Sequence, residues 1–454
     1  MSAQLHRDGN GFSRRTFLQG TLAAAGIGVA GGALAGCGSP LSAGLVASPL
    51  DPGTLTFWNL FGGGDGARLT VMLDQYAQEQ GGPASLQAAT FSWGNPYYTK
   101  LSLATLGDKP PDVAVSHLTR AQNLARANLL TPITDEMLAL VGLKPTDFNA
   151  KVWAAQKLND KSWIIPLDTH PFVMFYNADV CQKAGLLGAD GNLKPIQGTE
   201  EFEAALAAVQ KVTGAYGASS ASVGDFATPW RLFQTLYSQQ TGATPFISDD
   251  GTKLTVNEDI ANKTLAYIQK LSKTNLLAPT ADYAGAETLM FTGKSGFYFE
   301  GPWEITTAQG IQGLKFGIVP VPQLFDKVVA QADSHAFVLP RMERTPEQLA
   351  RAMGFMKSML EQSMTWAKGG HIPAYAPTRN SAEYKALLPQ ANYASAADEP
   401  VYDEPAWYSG SGSTFETIVG AQIGLVQQGL ASPASAFSDM KSQLETYLNT
   451  PSPL

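Results

Sequence analysis

Tryptophan, histidine and carboxylate side chains are the residues of this chain that could together form a ligand-binding site. A site for a neutral, polyhydroxylated ligand combines aromatic walls, which pack on C–H faces, with a few placed hydrogen-bonding groups. The candidate walls are Trp230, Trp303 and Trp407, each beside a loop that contains Pro or Gly, and the candidate polar groups are Asp65, His117, Asp168, His170, Arg231, Glu300, Asp333, His335 and His371. Trp58, Trp153, Trp163 and Trp366 lack such loops, so we expect them to pack in cores.

Two other kinds of site use the same residue types. Histidines with Asp or Glu can bind zinc, but no two histidines have HxxxH or HxxH spacing and there is no Cys-rich run. Two carboxylates could flank a scissile glycosidic bond, and Asp168, Glu300 and Glu304 are the candidates. A chain with 39 Asp and Glu residues contains some pair of carboxylates at a glycosidase-like spacing by chance. The GxSxG pattern of a serine nucleophile is not present. A metal-binding receptor and an exported glycosidase therefore remain as alternatives.

Composition limits the classes of partner. The chain has 454 residues and 44% apolar residues, enough for two domains with sizeable cores. Its formal net charge is -8, which disfavours nucleic acid because nucleic-acid binding needs basic patches. The two cysteines are Cys37 and Cys181, and we expect Cys181 to be a buried thiol without a disulfide partner.

The first 37 residues have the features of a bacterial export signal. Arg14 and Arg15 precede an uncharged Ala/Gly-rich run, and small residues lead into Cys37. This pattern resembles a twin-arginine signal with a lipobox, which implies cleavage before Cys37 and a diacylglycerol on its sulfur. An uncleaved membrane span is the alternative, but its Gly and Ala content makes a run of roughly twenty residues a weak span. We therefore predict a signal peptide at 1–36, a lipidated cysteine and flexible tether at 37–53, and an extracytoplasmic protein that is lipid-anchored to the outer face of the cell membrane.

Strand and helix patterns alternate after the tether. Strands are predicted at 54–58, 85–93 and 111–116, with helices between them, which indicates a parallel α/β sheet. Ligands of such sheets bind beyond the carboxyl ends of the strands. The loops that begin at Asn59 and Trp93 and the residues after Ser116 are therefore the first candidates for a site.

Two extended segments interrupt this alternation. The segment 164–177 is apolar apart from a polar centre, which indicates chain crossing between two domains, and the segment 333–340 is predicted to be a second such crossing. The other predicted elements are helices at 199–213, 230–239, 257–274 and 346–368 and from 414 onward, a strand at 295–299, and a loop at 369–378.

Four sequence landmarks, in this order, resemble a known family. They are Phe57-Trp58-Asn59, Pro111-Asp112-Val113, the 166–177 crossover that ends in Tyr176-Asn177, and Gly301-Pro302-Trp303. The chain from about 54 to 448 resembles extracellular solute-binding proteins of family 1, the carbohydrate-binding lipoproteins of ABC importers that include maltose-binding protein. The resemblance implies a bilobal, type II periplasmic-binding-protein-like α/β fold, with two lobes joined by a hinge of crossover strands. The implied lobes are 54–168 plus 337–385 and 172–333 plus 386–454.

The resemblance also implies which residues contact ligand. By position these are Asn59 with the loop to Asp65, the segment from His117 to Arg120, His170, Trp230, Trp303, Trp407 and Tyr408. Ser116 stands where a relative has a stacking tryptophan, and His170 stands at the position of a carboxylate ligand. The implied ligand is a neutral sugar or short oligosaccharide, but these two departures leave its identity open.

The implied role is binding rather than catalysis. The family captures its ligand in the cleft between the lobes and delivers it to permease subunits of an ABC importer. The resemblance implies no cofactor and no metal, a monomer, a membrane association only through the lipid on Cys37, and no contact with nucleic acid.

Overall fold

The structure is a computed structural model, and it describes residues 53–453. The predicted signal peptide, Cys37 and the tether lie outside the described residues, apart from Gly53. The strands are β1 (Leu55–Asn59), β2 (Leu86–Thr90), β3 (Val113–His117), β4 (Leu130–Thr131), β5 (Ile165–Pro166), β6 (Asp168–Pro171), β7 (Val173–Asn177), β8 (Ala218–Ser219), β9 (Phe297–Glu300), β10 (Phe316–Pro320), β11 (Ala330–Asp333), β12 (His335–Pro340), β13 (Ile372–Pro373) and β14 (Pro400–Val401).

Helices connect and cover these strands. The α-helices span Gly63–Glu79, Asn95–Leu106, Leu118–Arg126, Asp135–Ala139, Ala150–Ala155, Ala178–Lys183, Gly198–Thr213, Ala227–Ser238, Glu258–Lys273, Tyr283–Phe291, Ile305–Gly310, Pro346–Glu361, Ser363–Ala367, Ala376–Arg379, Ala382–Ala386, Gln390–Tyr393, Thr414–Gln427 and Pro433–Leu448. Their starts follow local chemistry. Thr345 and Gln348 form a reciprocal capping box, with Pro346 at the first helical position.

The first sheet has the order β2-β1-β3-β12-β4, and β5 pairs with β12. β1 runs parallel to β2 and β3, as the strand-helix alternation predicts. β12, which was not among the three strands of that prediction, is antiparallel to β3 and makes the sheet mixed. The reason is that β12 belongs to a segment that returns from the second half of the chain and enters the sheet from the opposite direction.

Two smaller sheets follow. The second sheet has the order β10-β7-β9-β8, and the third has the order β13-β6-β11-β14. The third sheet consists of short strands from the predicted crossovers and from the segment after Gly369, and we call it the linking sheet. β6 and β11 are antiparallel in it, with His170 opposite Asp333. The prediction of a loop at 369–378 is wrong in part, because this segment contains β13 and the start of the helix Ala376–Arg379.

Separate apolar cores pack around the first and second sheets. The first core includes Phe57, Phe337 and Phe355, and it gathers residues from 55–167 and 336–375. A second core covers residues from 172 to 444, and a third joins strands of the second sheet to residues of 364–397. Residues near 384–397 pack on the second sheet. The predicted lobe boundary near 385 stays a prediction.

Within residues 53–453, no helix combines the length and the apolar character needed to cross a membrane.

Candidate ligand-binding cleft

A cavity of about 360 Å³ lies between the first and second cores. Six of the residues singled out from sequence line it, namely Asp65, His117, His170, Arg231, Trp303 and His335. Asp65 and His117 lie at or after strand ends of the first sheet, as the rule for open α/β sheets predicts. Arg231 and Trp303 belong to the second half of the chain, so the cavity has walls from both sides.

Trp303 forms an aromatic wall that is held from behind. It lies in a one-turn 3₁₀ helix, Pro302–Glu304, directly after β9. Its indole N–H donates to the Tyr283 hydroxyl at 2.8 Å, and the Arg231 guanidinium lies 5.0 Å from its ring centre. A Cβ atom on Gly301 would lie 2.0 Å from the Trp303 ring, so only glycine permits this close approach.

Arg231 is paired below the cleft surface. Its Nη1 lies 3.6 Å from Oε1 of the fully buried Glu300. Thr228 Oγ1 and the Gly301 backbone N–H also donate to the Glu300 carboxylate. Burial raises the pKa of Glu300 to about 8 despite the neighbouring arginine.

His117 closes the first-sheet side of the cavity. It ends β3, whose five residues are all buried, and its Nδ1 lies 2.7 Å from the Tyr98 hydroxyl. The same hydroxyl accepts the His117 backbone N–H at 2.9 Å, which fixes the strand end. Burial and the neighbouring His335 hold the pKa of His117 well below its ordinary value, so this ring is neutral near pH 7.

Asp168 is the buried centre of a histidine cluster behind the cavity. Its Oδ1 lies 3.0 Å from His170 Nδ1, and its Oδ2 lies 2.8 Å from His335 Nδ1 and 3.2 Å from His371 Nδ1. The Trp366 indole N–H donates to Oδ2 at 2.6 Å, and the His335 backbone N–H donates to Oδ1 at 2.8 Å. Burial alone would raise the pKa of Asp168, but the facing imidazoles hold it well below its usual range.

His371 joins this centre to the cleft. Its Nε2 lies 2.9 Å from Asp65 Oδ1, and its ring stacks on Trp366 at a centroid distance of 4.5 Å. Burial disfavours the charged ring, but the two carboxylates outweigh it and raise the pKa of His371 to about 10. Burial and the neighbouring His335 lower the pKa of His170 to about 3. The cluster therefore places a charged His371 beside a neutral His170.

Asp333 lies next to the cleft and fastens the linking sheet. Its carboxylate accepts the Thr119 hydroxyl at 2.5 Å and the Ser334 backbone N–H at 2.8 Å. Burial raises the pKa of Asp333 to about 7. Among the described residues that line the 360 Å³ cavity, Asp333 is absent, and Asp168, Glu300 and His371 also lie behind the lining.

Four sequence-predicted residues lie elsewhere in the described chain. Asn59 is buried and donates to the Ala89 carbonyl, so it fixes a strand end. Trp230 is 1% exposed, packs among Phe233, Phe246 and Phe415, and borders a different cavity of about 500 Å³. Trp407 and Tyr408 pack on Tyr447 of the last helix. Their predicted sugar contacts stay untested, but the structure gives each a packing role.

Other lining residues carry no strong signal in the sequence. Trp93, Asp225 and Tyr283 line the cavity, and Trp93 is 43% exposed. The loop that begins at Trp93 was among the first candidates from strand order, although Trp93 itself was not singled out. Trp366, expected only to pack, donates a hydrogen bond to Asp168 as well. No local pattern marks Asp225 or Tyr283, because both reach the cleft through the packing of distant segments.

Comparison with known proteins places the chain in a family. The family model described as bacterial extracellular solute-binding protein matches residues 72–395. The chain belongs to this family. The solute-binding protein is 28% identical to an arabinooligosaccharide-binding protein of Bacillus subtilis over 58% of this chain and 57% of that relative. It is 25% identical to a maltooligosaccharide ABC transporter solute-binding lipoprotein of Streptococcus pneumoniae over 63% of this chain and 65% of that relative.

The solute-binding protein thus spans less than two thirds of the length of these curated relatives in either match. A solved structure, the sugar-binding protein MalE from Xanthomonas citri, superposes with a TM-score of 0.70 at 16% identity, covering 87% of this chain and 97% of that one. This likeness confirms the predicted fold class, a bilobal type II periplasmic-binding-protein fold with two α/β lobes joined by crossover strands.

Proposed function

We propose that this solute-binding protein captures a neutral sugar or short oligosaccharide in the 360 Å³ cleft and delivers it to the permease subunits of an ABC importer. The observation that carries the proposal is the cavity that brings the Trp303 ring together with Asp65, His117, His170 and Arg231. An aromatic wall and convergent hydrogen-bonding groups are the two features that a sugar ring needs.

The paired charges of the cleft favour a neutral ligand. Asp65 faces His371 at 2.9 Å, and Arg231 faces Glu300 at 3.6 Å. Because each of these groups already has a partner of opposite charge, the cleft offers hydrogen bonds without a strong net field. The volume lies at the low end of the range of about 300–1,000 Å³ for ligand pockets, which favours one or two sugar rings over a long chain.

The names of the curated relatives support the ligand class. One is an arabinooligosaccharide-binding protein and the other a maltooligosaccharide-binding lipoprotein. A thermal-shift screen with arabino- and malto-oligosaccharides of one to four units should raise the melting temperature, since a ligand that binds only the folded state stabilises it. Trp303→Ala at the cleft is the matched negative variant. No shift in the folded wild type with any of these sugars, at millimolar concentration, would contradict the proposal.

Binding without hydrolysis completes the proposed role. The carboxylates considered for a glycosidase are engaged elsewhere, since Asp168 is enclosed by imidazoles and Glu304 accepts the Tyr283 hydroxyl. Incubation with chromogenic glycosides should release no chromophore, and any turnover that Glu300→Gln abolishes would favour the enzyme instead.

The lipid anchor on Cys37 is the second part of the proposal. The cysteine follows Leu34-Ala35-Gly36, and one relative is named as a lipoprotein. Cys37→Ser should stop lipidation, because the thiol is the acceptor of the diacylglycerol, and the protein should leave the membrane fraction or stay unprocessed. Unchanged processing and membrane retention would contradict the anchor, whereas Arg14→Lys with Arg15→Lys separately tests the twin-arginine route.

A further inference from the structure

Four buried side chains from three separate segments converge at the linking sheet. Asp168 and His170 lie in β6, His335 begins β12, and His371 immediately precedes β13. One ligand atom from each of these residues lies within 4.8 Å of the other three, and all four residues are buried. We call these residues the histidine quartet.

The spacing of these atoms suits a tetrahedral metal ion. Bonds of about 2.0–2.2 Å from a zinc ion to nitrogen and oxygen place neighbouring ligand atoms roughly 3.3 Å apart. The three Nδ1 atoms lie 2.8, 3.0 and 3.2 Å from the nearest Asp168 oxygen. The contacts with Asp168 would lengthen slightly, and any ligand atoms farther apart than this spacing, all of which lie within 4.8 Å of one another, would draw together around the ion.

The groups around the quartet are those that usually support metal ligands. A ligating histidine commonly donates its other ring N–H to a carboxylate, and a ligating carboxylate is itself hydrogen-bonded. His371 presents Nε2 to Asp65 at 2.9 Å, and Asp168 accepts the Trp366 indole N–H. Stacking of His371 on Trp366 and of His170 on His335 fixes the ring planes.

The Nδ1 atom of His371 faces Asp168 without forming a hydrogen bond. This buried atom makes no hydrogen bond among the described residues, although Asp168 Oδ2 lies only 3.2 Å away. A bound metal ion would take the place of the Nδ1 proton, so that the Nδ1 lone pair and the Asp168 carboxylate both face the ion.

We propose that the histidine quartet binds one divalent transition-metal ion of the zinc type, which fastens β6 of the linking sheet to the start of β12 and to the residue before β13. Three nitrogens and one carboxylate oxygen complete four-coordination, as in closed structural sites. The ligand types suit imidazole-preferring ions such as Zn²⁺ and Co²⁺ rather than Mg²⁺ or Ca²⁺. The ion is structural in this arrangement, because the four ligands leave no open position.

Cobalt and zinc test the site on the tag-free full chain, after removal of bound metal with a chelator. One equivalent of Co²⁺ should produce the intense visible absorption of tetrahedral cobalt, and one equivalent of Zn²⁺ should abolish it by displacement. Zn²⁺ should also raise the melting temperature, since it binds only the folded arrangement. Weak octahedral absorption, or no saturation near one equivalent, would overturn the proposal.

Variants assign the ligands. His371→Gln and His335→Gln should each lose the tetrahedral band, and Asp65→Asn should weaken Co²⁺ binding by about 10–100-fold because it supports His371. His117→Gln is the control for metal binding, since His117 pairs with Tyr98 and lies outside the quartet. Circular dichroism in chelator establishes that each variant folds. A band retained in both His371→Gln and His335→Gln overturns the assignment, and a folded wild type without the band overturns the site itself.

The metal proposal does not depend on the sugar proposal. A thermal shift by sugar in chelator, without any cobalt band, would leave the sugar proposal standing and remove the metal. A cobalt band without any sugar response would do the reverse.

Discussion

Trp303 is the residue on which the proposed sugar contact chiefly depends. Its ring lines the cleft, lies against Gly301, and is oriented by the Tyr283 hydroxyl and the Arg231 guanidinium. These contacts fix the ring plane before any ligand arrives, so little conformational entropy is lost on binding.

Replacing Trp303 with alanine should weaken sugar binding by about 2 kcal/mol or more, because an aromatic wall of this kind is a typical binding hot spot. Titration calorimetry with the best sugar from the thermal-shift screen measures the change. Trp407→Ala is the matched control, since Trp407 packs on Tyr447 and donates to the Thr450 carbonyl. Equal sugar affinities of Trp303→Ala and the wild type would show that the sugar binds away from the Trp303 ring.

Glu300 gives a prediction about pH. Burial raises its pKa from 4.5 to about 8, so the folded protein keeps a proton that the unfolded chain releases above about pH 4.5. The stability from this group is therefore present at low pH and is lost as the pH rises from about 4.5 to 8. Glu300→Gln, which cannot ionise, should lose less free energy of unfolding than the wild type between pH 5 and pH 9.

The expected difference in that loss is on the order of 4 kcal/mol, measured by urea unfolding at both pH values. Glu203→Gln is the control, because Glu203 pairs with Lys270 near the surface. Parallel pH profiles of the wild type and Glu300→Gln would mean that Arg231 fully offsets the burial of this carboxylate.

At the residue scale, sequence reasoning identified side-chain types better than their arrangement. Each of the four histidines at 117, 170, 335 and 371 was a candidate, and all of them lie in or directly behind the cleft. The convergence of His170, His335 and His371 on Asp168 could not be predicted, because spacing rules such as HxxxH detect ligands on one element only. Trp230 was a candidate that the structure places in a core. A tryptophan beside a proline can form the wall of a ligand site or pack in a core, and its sequence does not distinguish the two.

The linking sheet is the element that turns distant segments into one site. β6 pairs with both β11 and β13, so three separate parts of the chain meet within hydrogen-bonding distance. Extended polar segments near 168 and 333 predicted the crossovers. The short β13 was not predicted, because two paired residues have no periodicity.

Helix packing in the second core depends on a close approach at Gly420. This glycine lies in the helix Thr414–Gln427, which packs on the helix Ala227–Ser238. A Cβ atom there would lie 1.8 Å from the Phe226 carbonyl oxygen. Gly420→Ala should therefore lower the free energy of unfolding by about 2–4 kcal/mol, because the added Cβ atom would push one helix backbone away from the backbone at Phe226.

Gly354→Ala is the matched control for this element. Gly354 lies within the helix Pro346–Glu361, and an added Cβ atom there would meet nothing within 4 Å. Alanine is the better helix former, so this variant should gain about 1 kcal/mol in urea unfolding. A loss of stability at both positions, or at neither, would show that close packing does not decide the outcome.

At the scale of the whole molecule, the bilobal fold was predictable and the course of the chain only partly so. The order of landmarks such as Gly301-Pro302-Trp303 identified the family, and the alternation of strands and helices identified the α/β class. The strand direction of β12 was not predictable from its own sequence, because direction depends on where the chain re-enters the first sheet.

A sugar held between the lobes should also change the shape of the molecule. Asp65 and His117 contact the cavity from the first-core side and Arg231 and Trp303 from the second-core side, so a ligand that touches both sides makes its full set of contacts only when they are close. Such a ligand shifts the population toward the closed arrangement by its extra contacts there.

Small-angle scattering measures this shift as a smaller radius of gyration at saturating sugar than without sugar. The same sugar added to Trp303→Ala, at a concentration where that variant stays unbound, should leave the radius unchanged. If the wild type binds sugar by calorimetry and its radius does not fall, the linking sheet holds the lobes in one arrangement and the permease must recognise the ligand-filled cleft itself.

A rigid linking sheet of that kind would be consistent with a metal ion in the histidine quartet. The scattering should therefore be repeated in chelator, where release of the ion frees the three segments to move.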